Sequence, residues 1–195
     1  MNCRLCTLDK ELRNSHIIPE SLFKPLYDDK HRAVHLKDFE GKNRYKKLKP
    51  LQKGIREKLL CHDCERLLND RYEKYFKKLW FDKKALPEIM PASGSITLSG
   101  LDYRKFKLFH LSILFRASVS TLSEFKQVSL GKHEEILRRA ILNDLDIPEN
   151  MYVLLCHAIT KNKSEIQYGL ITSPFKLRQP NGYISYGFCF GGCVW

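Results

Sequence analysis

No stretch of this 195-residue chain approaches the roughly 18 consecutive apolar residues that a membrane-spanning helix requires. An excess of acid is missing as well. Lys and Arg outnumber Asp and Glu by 34 to 22, which leaves a formal charge of +12 and directs attention to a polyanionic partner, nucleic acid before any other. There is no internal repeat and no low-complexity tract, and with 43% hydrophobic residues the chain has enough apolar side chains to bury a core. The opening residues, MNCRLCTLDKELRNS, are polar throughout and do not read as a secretory signal, so a cytoplasmic protein is expected. An even set of cysteines is also lacking. Seven is an odd number for a disulfide framework, which a reducing cytoplasm would not favour in any case.

Four of the seven fall into two Cys-x-x-Cys pairs, Cys3/Cys6 and Cys61/Cys64, separated by 54 residues. Thiolates so spaced on a tight turn both reach one tetrahedral Zn²⁺ at about 2.3 Å, and a second pair completes the shell. The expectation is a structural zinc ion with a subdomain between the pairs. A redox reading would need a thioredoxin-like βαβ setting, which the sequence does not offer. His62 lies inside the second pair and is expected to face solvent. Cys156, Cys189 and Cys193 lie in apolar surroundings and read as small hydrophobes, the alternative being a second metal site with His157.

The predicted fold class is α+β. Residues 1 to 85 carry both knuckles and most of the charge, residues 86 to 100 (LPEIMPASGSITLSG) have a linker's composition, and residues 101 to 195 form a second, α+β part. In the first part SHIIPE and REKLLC read as short extended segments, and CERLLNDRYEKYFKKLW, from Cys64 to about Trp80, as an amphipathic helix. In the second, YRKFKLFHLSILFRASVSTLSEF reads as one long helix from Tyr103, apolar around most of its circumference. Arg116 within it either reaches out to solvent or is buried and needs a carboxylate or carbonyl partners. A further helix is expected from about His133 to Asn143, then MYVLLCHAI, EIQYGLIT and YISYGFCFGGCVW as three strands of one antiparallel sheet. The apolar run ending at Trp195 implies either a buried last strand or a truncated protein.

Between the knuckles stands SHIIP, at residues 15 to 19, and after it LLCHDC at 59 to 64. With CRLC at 3 to 6, these pieces in this order resemble the HNH endonucleases of the zinc-stabilised ββα-metal, or His-Me finger, type. The resemblance covers about the first 80 residues. It implies a nuclease module in which His16 is the general base that takes a proton from water, a chemistry suited to an imidazole near neutral pH beside a hard cation. It further implies hydrolysis of DNA phosphodiester bonds leaving a 5′-phosphate; the sequence itself leaves open whether RNA is also a partner. Two positions depart from the family pattern. Ser15 stands where Asp or His is usual, and Glu65 where Asn or His commonly follows the last cysteine.

A carboxylate at Glu65 suits Mg²⁺ or Mn²⁺, whereas a serine hydroxyl is a poor ligand. Asn69 and Glu73 follow at steps of four and share a helix face with Glu65. Two treatments are open: a working site in which Glu65 holds the catalytic cation assisted by Asn69, with Glu73 on a solvated face, or a decayed site that binds nucleic acid without cutting it. The run GKNRYKKLKPLQKGIREK carries eight basic residues against one acid, with Lys42, Arg44, Lys46, Lys47, Lys49, Lys53 and Arg56 as candidate phosphate contacts. Lys10, Arg13, Lys24, Arg66 and Lys74 would widen that face. A protein partner docking on residues 101 to 195 is the remaining reading.

Overall fold

A computed structural model describes residues 1–34, 50–82, 98–148, 152–161, 165–180 and 182–195. The first sheet is an antiparallel pair, β1 (Leu12–His16) and β2 (Arg56–Cys61), with Leu12 opposite Cys61 and His16 opposite Arg56. Its register slips between Arg13 and Asn14, which leaves Leu59 of β2 as the extra residue of a bulge. The groups the bulge frees are taken up at once: the Leu59 carbonyl accepts from the Arg4 amide (3.0 Å), and the Leu60 amide donates to Ser15 Oγ (3.0 Å). The bulge thus ties β2 to the first knuckle.

The short helix α1 (Glu20–Phe23) starts directly after Pro19. A longer helical run follows β2 without a break: α2 (His62–Leu68), a π turn (Asn69–Glu73), α3 (Lys74–Lys77) and a second π turn (Lys78–Asp82). Periodicity predicts a helix here; the structure adds the two π turns. Their cause is legible in the burial of Cys64, Leu68, Tyr72, Phe76 and Trp80, which recur every fourth residue. A pure α-helix would rotate such a stripe by about 40° at each step, and the wider π turns return it to one face.

α4 (Tyr103–Val119) is capped by Asp102, whose side chain accepts from the Lys105 amide (3.0 Å), and is buried around most of its girth. It is shorter than predicted. Ser120 Oγ (2.6 Å), Thr121 Oγ1 and the Thr121 amide all turn to the Glu57 carboxylate on β2, and only a 3₁₀ turn, Ser123–Phe125, follows. α5 (His133–Asn143) matches its predicted span and ends on Asp144 in the left-handed region, φ 55°.

The expected single C-terminal sheet is instead three small antiparallel ones among the described residues. β3 (His157–Ala158) pairs with β9 (Cys193–Val194), which pairs with β8 (Cys189–Phe190); β4 (Thr160–Lys161) pairs with β5 (Glu165–Ile166), and β6 (Phe175–Arg178) with β7 (Ile184–Gly187). Gly191 and Gly192, both at positive φ, make the tight β8–β9 turn. Gly191 also lets Trp80 approach, since its carbonyl accepts from Trp80 Nε1 (2.7 Å) where a Cβ would meet that nitrogen at 3.0 Å.

One hydrophobic cluster runs through all of this, from Cys3 and Leu5 to Trp195. At its centre Phe76 stacks on Phe109 with ring centroids 4.0 Å apart, and Trp80 and Trp195 lie 5.2 Å from one another. The fold is mixed α+β, and no helix among the described residues is long and apolar enough to cross a membrane.

Candidate metal centre and its surroundings

The two knuckles meet because the bulged β1–β2 pair ends where they do. Leu12 of β1 faces Cys61 of β2, Cys3 accepts the Cys61 amide on its sulfur (3.3 Å), and Thr7, at φ 64°, closes the first knuckle with its amide on the Cys3 carbonyl (2.9 Å). The sulfurs of Cys3, Cys6, Cys61 and Cys64 all lie within 4.8 Å of one another, the only such group of His, Cys, Asp or Glu ligands among the described residues.

The donor set fits a metal ion such as zinc. Four sulfurs at about 2.3 Å from a tetrahedral centre stand about 3.8 Å apart. Cys6 Sγ and Cys61 Sγ are separated by 3.8 Å, far beyond a disulfide bond. A hydrogen bond from the Cys64 thiol, reinforced by the amides of Cys6, Cys61 and Leu5 against the cost of burial, brings the Cys3 thiol down to about 4. Cys64, which keeps the proton, is driven up by the same bond, and burial raises Cys6. A thiolate is therefore already favoured at Cys3, and the others would release their protons to a metal. From α5, Arg138 Nη1 donates to the Leu5 carbonyl (2.6 Å), so the second half of the chain braces the first knuckle. His62 is exposed, as expected.

His16 closes β1 at the other end of the same sheet. Its Nε2 lies 3.1 Å from the Lys53 carbonyl and 2.8 Å from Glu20 Oε2. The Lys53 carbonyl can only accept, so Nε2 carries a hydrogen, and in the neutral ring the lone pair belongs to Nδ1. Its carbonyl is held by Arg116 Nη1 (2.9 Å). Ser15, fully buried, points the other way: its Oγ is spent on the Leu60 amide and on the Arg13 carbonyl (3.4 Å). The serine that departs from the family pattern is thus the stitch across the bulge.

Glu65 stands in the first turn of α2, directly after Cys64, and α2 packs against both β1 and β2. Its Oε1 is buried and has no hydrogen-bond partner among the described residues, an arrangement a cation would relieve. Asn69 is exposed and donates to Asp70 Oδ1 (3.3 Å). Glu73 does not lie on a solvated face. It accepts from Arg116 Nη1 (2.8 Å), and Arg116 is 1% exposed, so Glu73, the last residue of the π turn, belongs to a buried ion pair.

Of the basic run, Lys42, Arg44, Lys46, Lys47 and Lys49 lie outside the described residues. Lys53 and Arg56 are exposed beside His16, Lys53 contributing its carbonyl and Arg56 facing His16 across the ladder. Lys10 pairs with Asp63 (2.8 Å) and Lys74 with Asp70 (2.7 Å), so neither is a bare cation. The second metal site is not formed: Cys189 and Cys193 are buried as small hydrophobes, whereas Cys156, just before β3, is exposed, contrary to expectation.

Sequence reasoning did not single out Glu20, Tyr27 or His31. Tyr27 Oη donates to Glu20 Oε1 (2.7 Å), His31 Nε2 is 3.9 Å from the same oxygen, and the two rings lie against one another, tilted by 32°, with centroids 4.0 Å apart. Glu20 is four residues from His16, but Pro19 between them ends any expectation of helical spacing.

Fold and centre together define a mixed α+β protein organised on a four-cysteine cluster that could hold a metal ion such as zinc. Comparison with known proteins adds no identity: no protein-family model matches the chain, and no curated protein or solved structure matches it significantly.

Proposed function

We propose that the protein is a zinc-stabilised, metal-dependent endonuclease of HNH type acting on DNA phosphodiester bonds. One arrangement carries the reading: an antiparallel β1–β2 pair that ends in His16, followed by a helix that begins within the four-cysteine cluster and bears Glu65, whose buried Oε1 has no hydrogen-bond partner among the described residues.

Cys3, Cys6, Cys61 and Cys64 would hold the zinc, which would clamp the His16 strand to the Glu65 helix. His16 Nδ1 accepts a proton from water; the resulting hydroxide attacks phosphorus, the P–O3′ bond breaks to leave a 5′-phosphate, and the departing 3′ oxygen takes a proton from solvent water to become a hydroxyl. Glu65, with Asn69 beside it, would hold the catalytic ion. Mg²⁺ or Mn²⁺ bound there supplies positive charge for the leaving oxygen. Lys53, Arg56 and the basic run before them hold the backbone by contacts that salt weakens.

Plasmid cleavage in Mg²⁺ by wild type and His16→Ala at equal zinc content tests the assignment. The variant is expected to lose about 10²- to 10⁴-fold in rate. Equal cutting by the two proteins removes His16 from the chemistry.

A second reading has its own observation. Ser15 is consumed by the β-bulge and offers nothing to a cation, which suits a zinc-held module that binds nucleic acid without cutting it. DNA retention without cleavage by wild type would decide for that reading.

A further inference from the structure

We propose that Glu20 is the positioning residue for His16, holding its ring with Nδ1 outward and offsetting the positive charge the ring acquires; the catalytic half of this statement rests on the reading of His16 as a general base. Geometry sets the assignment. Glu20 Oε2 is buried, no hydrogen-bond donor among the described residues is aligned on it, and it stands 2.8 Å from His16 Nε2. The Lys53 carbonyl, 3.1 Å from that nitrogen, takes the ring hydrogen, so the carboxylate acts on the ring chiefly as a charge. A histidine that takes a proton from water becomes a cation, and a fixed anion beside its far nitrogen is worth most at that moment.

The carboxylate is itself built in. Tyr27 donates its phenol hydrogen to Oε1 at 2.7 Å. Burial first, and the facing carboxylate second, hold that phenol well above its ordinary titration range, so it remains a donor. His31 sits 3.9 Å from the same oxygen, in a left-handed conformation (φ 55°) on a turn braced by Asp28, which accepts from the amides of Lys30 (3.0 Å) and Arg32 (2.8 Å). On the far side the backbone is as close as it can come. Gly54 is at φ 57°, and a Cβ there would meet the Phe23 ring at 3.0 Å and Glu20 Oε2 at 3.2 Å. A solvent-facing glutamate forming a chance ion pair would need neither the phenol nor the glycine.

Two measurements on the zinc-loaded full chain test this. In the first, histidine side-chain ¹⁵N spectra are expected to show His16 as the Nε2–H tautomer in wild type, and to show its ring signals moving toward those of a free imidazole in Glu20→Ala. An Nδ1–H tautomer in wild type, or unchanged His16 signals in Glu20→Ala, overturns the proposal whether or not DNA is cut.

In the second, Glu20→Gln, which keeps shape and removes charge, is expected to lower kcat of plasmid cleavage by roughly 10- to 100-fold at unchanged KM and to cost nothing further in a His16→Ala background. A Glu20→Gln enzyme as fast as wild type, or a loss that multiplies with that of His16→Ala, overturns it. If wild type does not cut, the nuclease reading fails, and the spectra alone decide whether Glu20 orients His16.

Discussion

His110 is a titratable group in a place where charge has no outlet. Trp195 (4.2 Å) and Phe106 (4.7 Å) flank its ring, Nδ1 bonds the Phe106 carbonyl (2.7 Å), and Nε2 is buried with no partner among the described residues. Burial, opposed only by that carbonyl, lowers it to about 3. The folded protein therefore keeps His110 neutral while the unfolded chain protonates it below about pH 6.5. Because the unfolded state binds the extra proton, this group's contribution is complete above pH 6.5 and is lost as pH falls toward 3. At pH 5 the loss is about 2 kcal/mol relative to pH 7. Urea midpoints measured at both pH values should show that difference in wild type, and most of it should vanish in His110→Phe. An equal acid sensitivity in the variant would locate the effect elsewhere.

The Arg116–Glu73 pair joins α4 to the π turn after α2 and, through the His16 carbonyl, to the end of β1. Removing one partner of a buried pair leaves the other uncompensated, a cost of about 3 to 5 kcal/mol. Arg116→Met should show a destabilisation of that order in urea, and the double variant Arg116→Met/Glu73→Leu should recover much of it; no recovery would mean that the hydrogen bond to His16, rather than the ion pair, carries the stability. Sequence reading reached this feature only in part. An arginine inside an apolar helix was visible as a demand for a partner, but Glu73 sits at helical spacing from Asn69 and Glu65, and nothing local marks it as the residue that the π turn sets against α4. The strict four-residue recurrence from Cys64 to Trp80 was the one available sign of that turn. β2, α5 and the four-cysteine cluster were legible because strand composition, helical periodicity and ligand spacing are local signals, whereas the extended segment expected at SHIIPE overlaps β1 only at Ser15 and His16. The C-terminal strands were not, since runs such as YISYGFCFGGCVW are apolar enough for a strand of any length, and their glycine turns and cross-chain partners decide where pairing stops. Glu20 escaped for the same reason: its partners, Tyr27, His31 and the Lys53 carbonyl, come together only through loop conformation.

At the scale of the whole molecule, the four-cysteine cluster and the aromatic core are parts of one packed body. Cys3, Cys61 and Cys64 belong to the same hydrophobic cluster as Trp80 and Trp195, and Arg138 of α5 reaches back to the Leu5 carbonyl in the first knuckle. Cys3, Cys61 and Cys64 are 1%, 1% and 3% exposed, and a tetrahedral zinc would offset the cost of burying their thiolates there. Stripping the metal with a chelator should therefore disturb more than the first 80 residues. Both tryptophans report from the shared core, where Trp80 and Trp195 are 1% and 9% exposed. Their emission is expected to shift to the red in one transition on chelation, and readdition of Zn²⁺ should restore it. Cys61→Ser should reproduce the shift without chelator, since the loss of one thiolate also removes the sulfur that stands 3.8 Å from Cys6. Tryptophan emission that stayed buried after the zinc had left would show that the core holds without its metal, and the clamp between the His16 strand and the Glu65 helix would then have to be sought in β-sheet and helix packing alone.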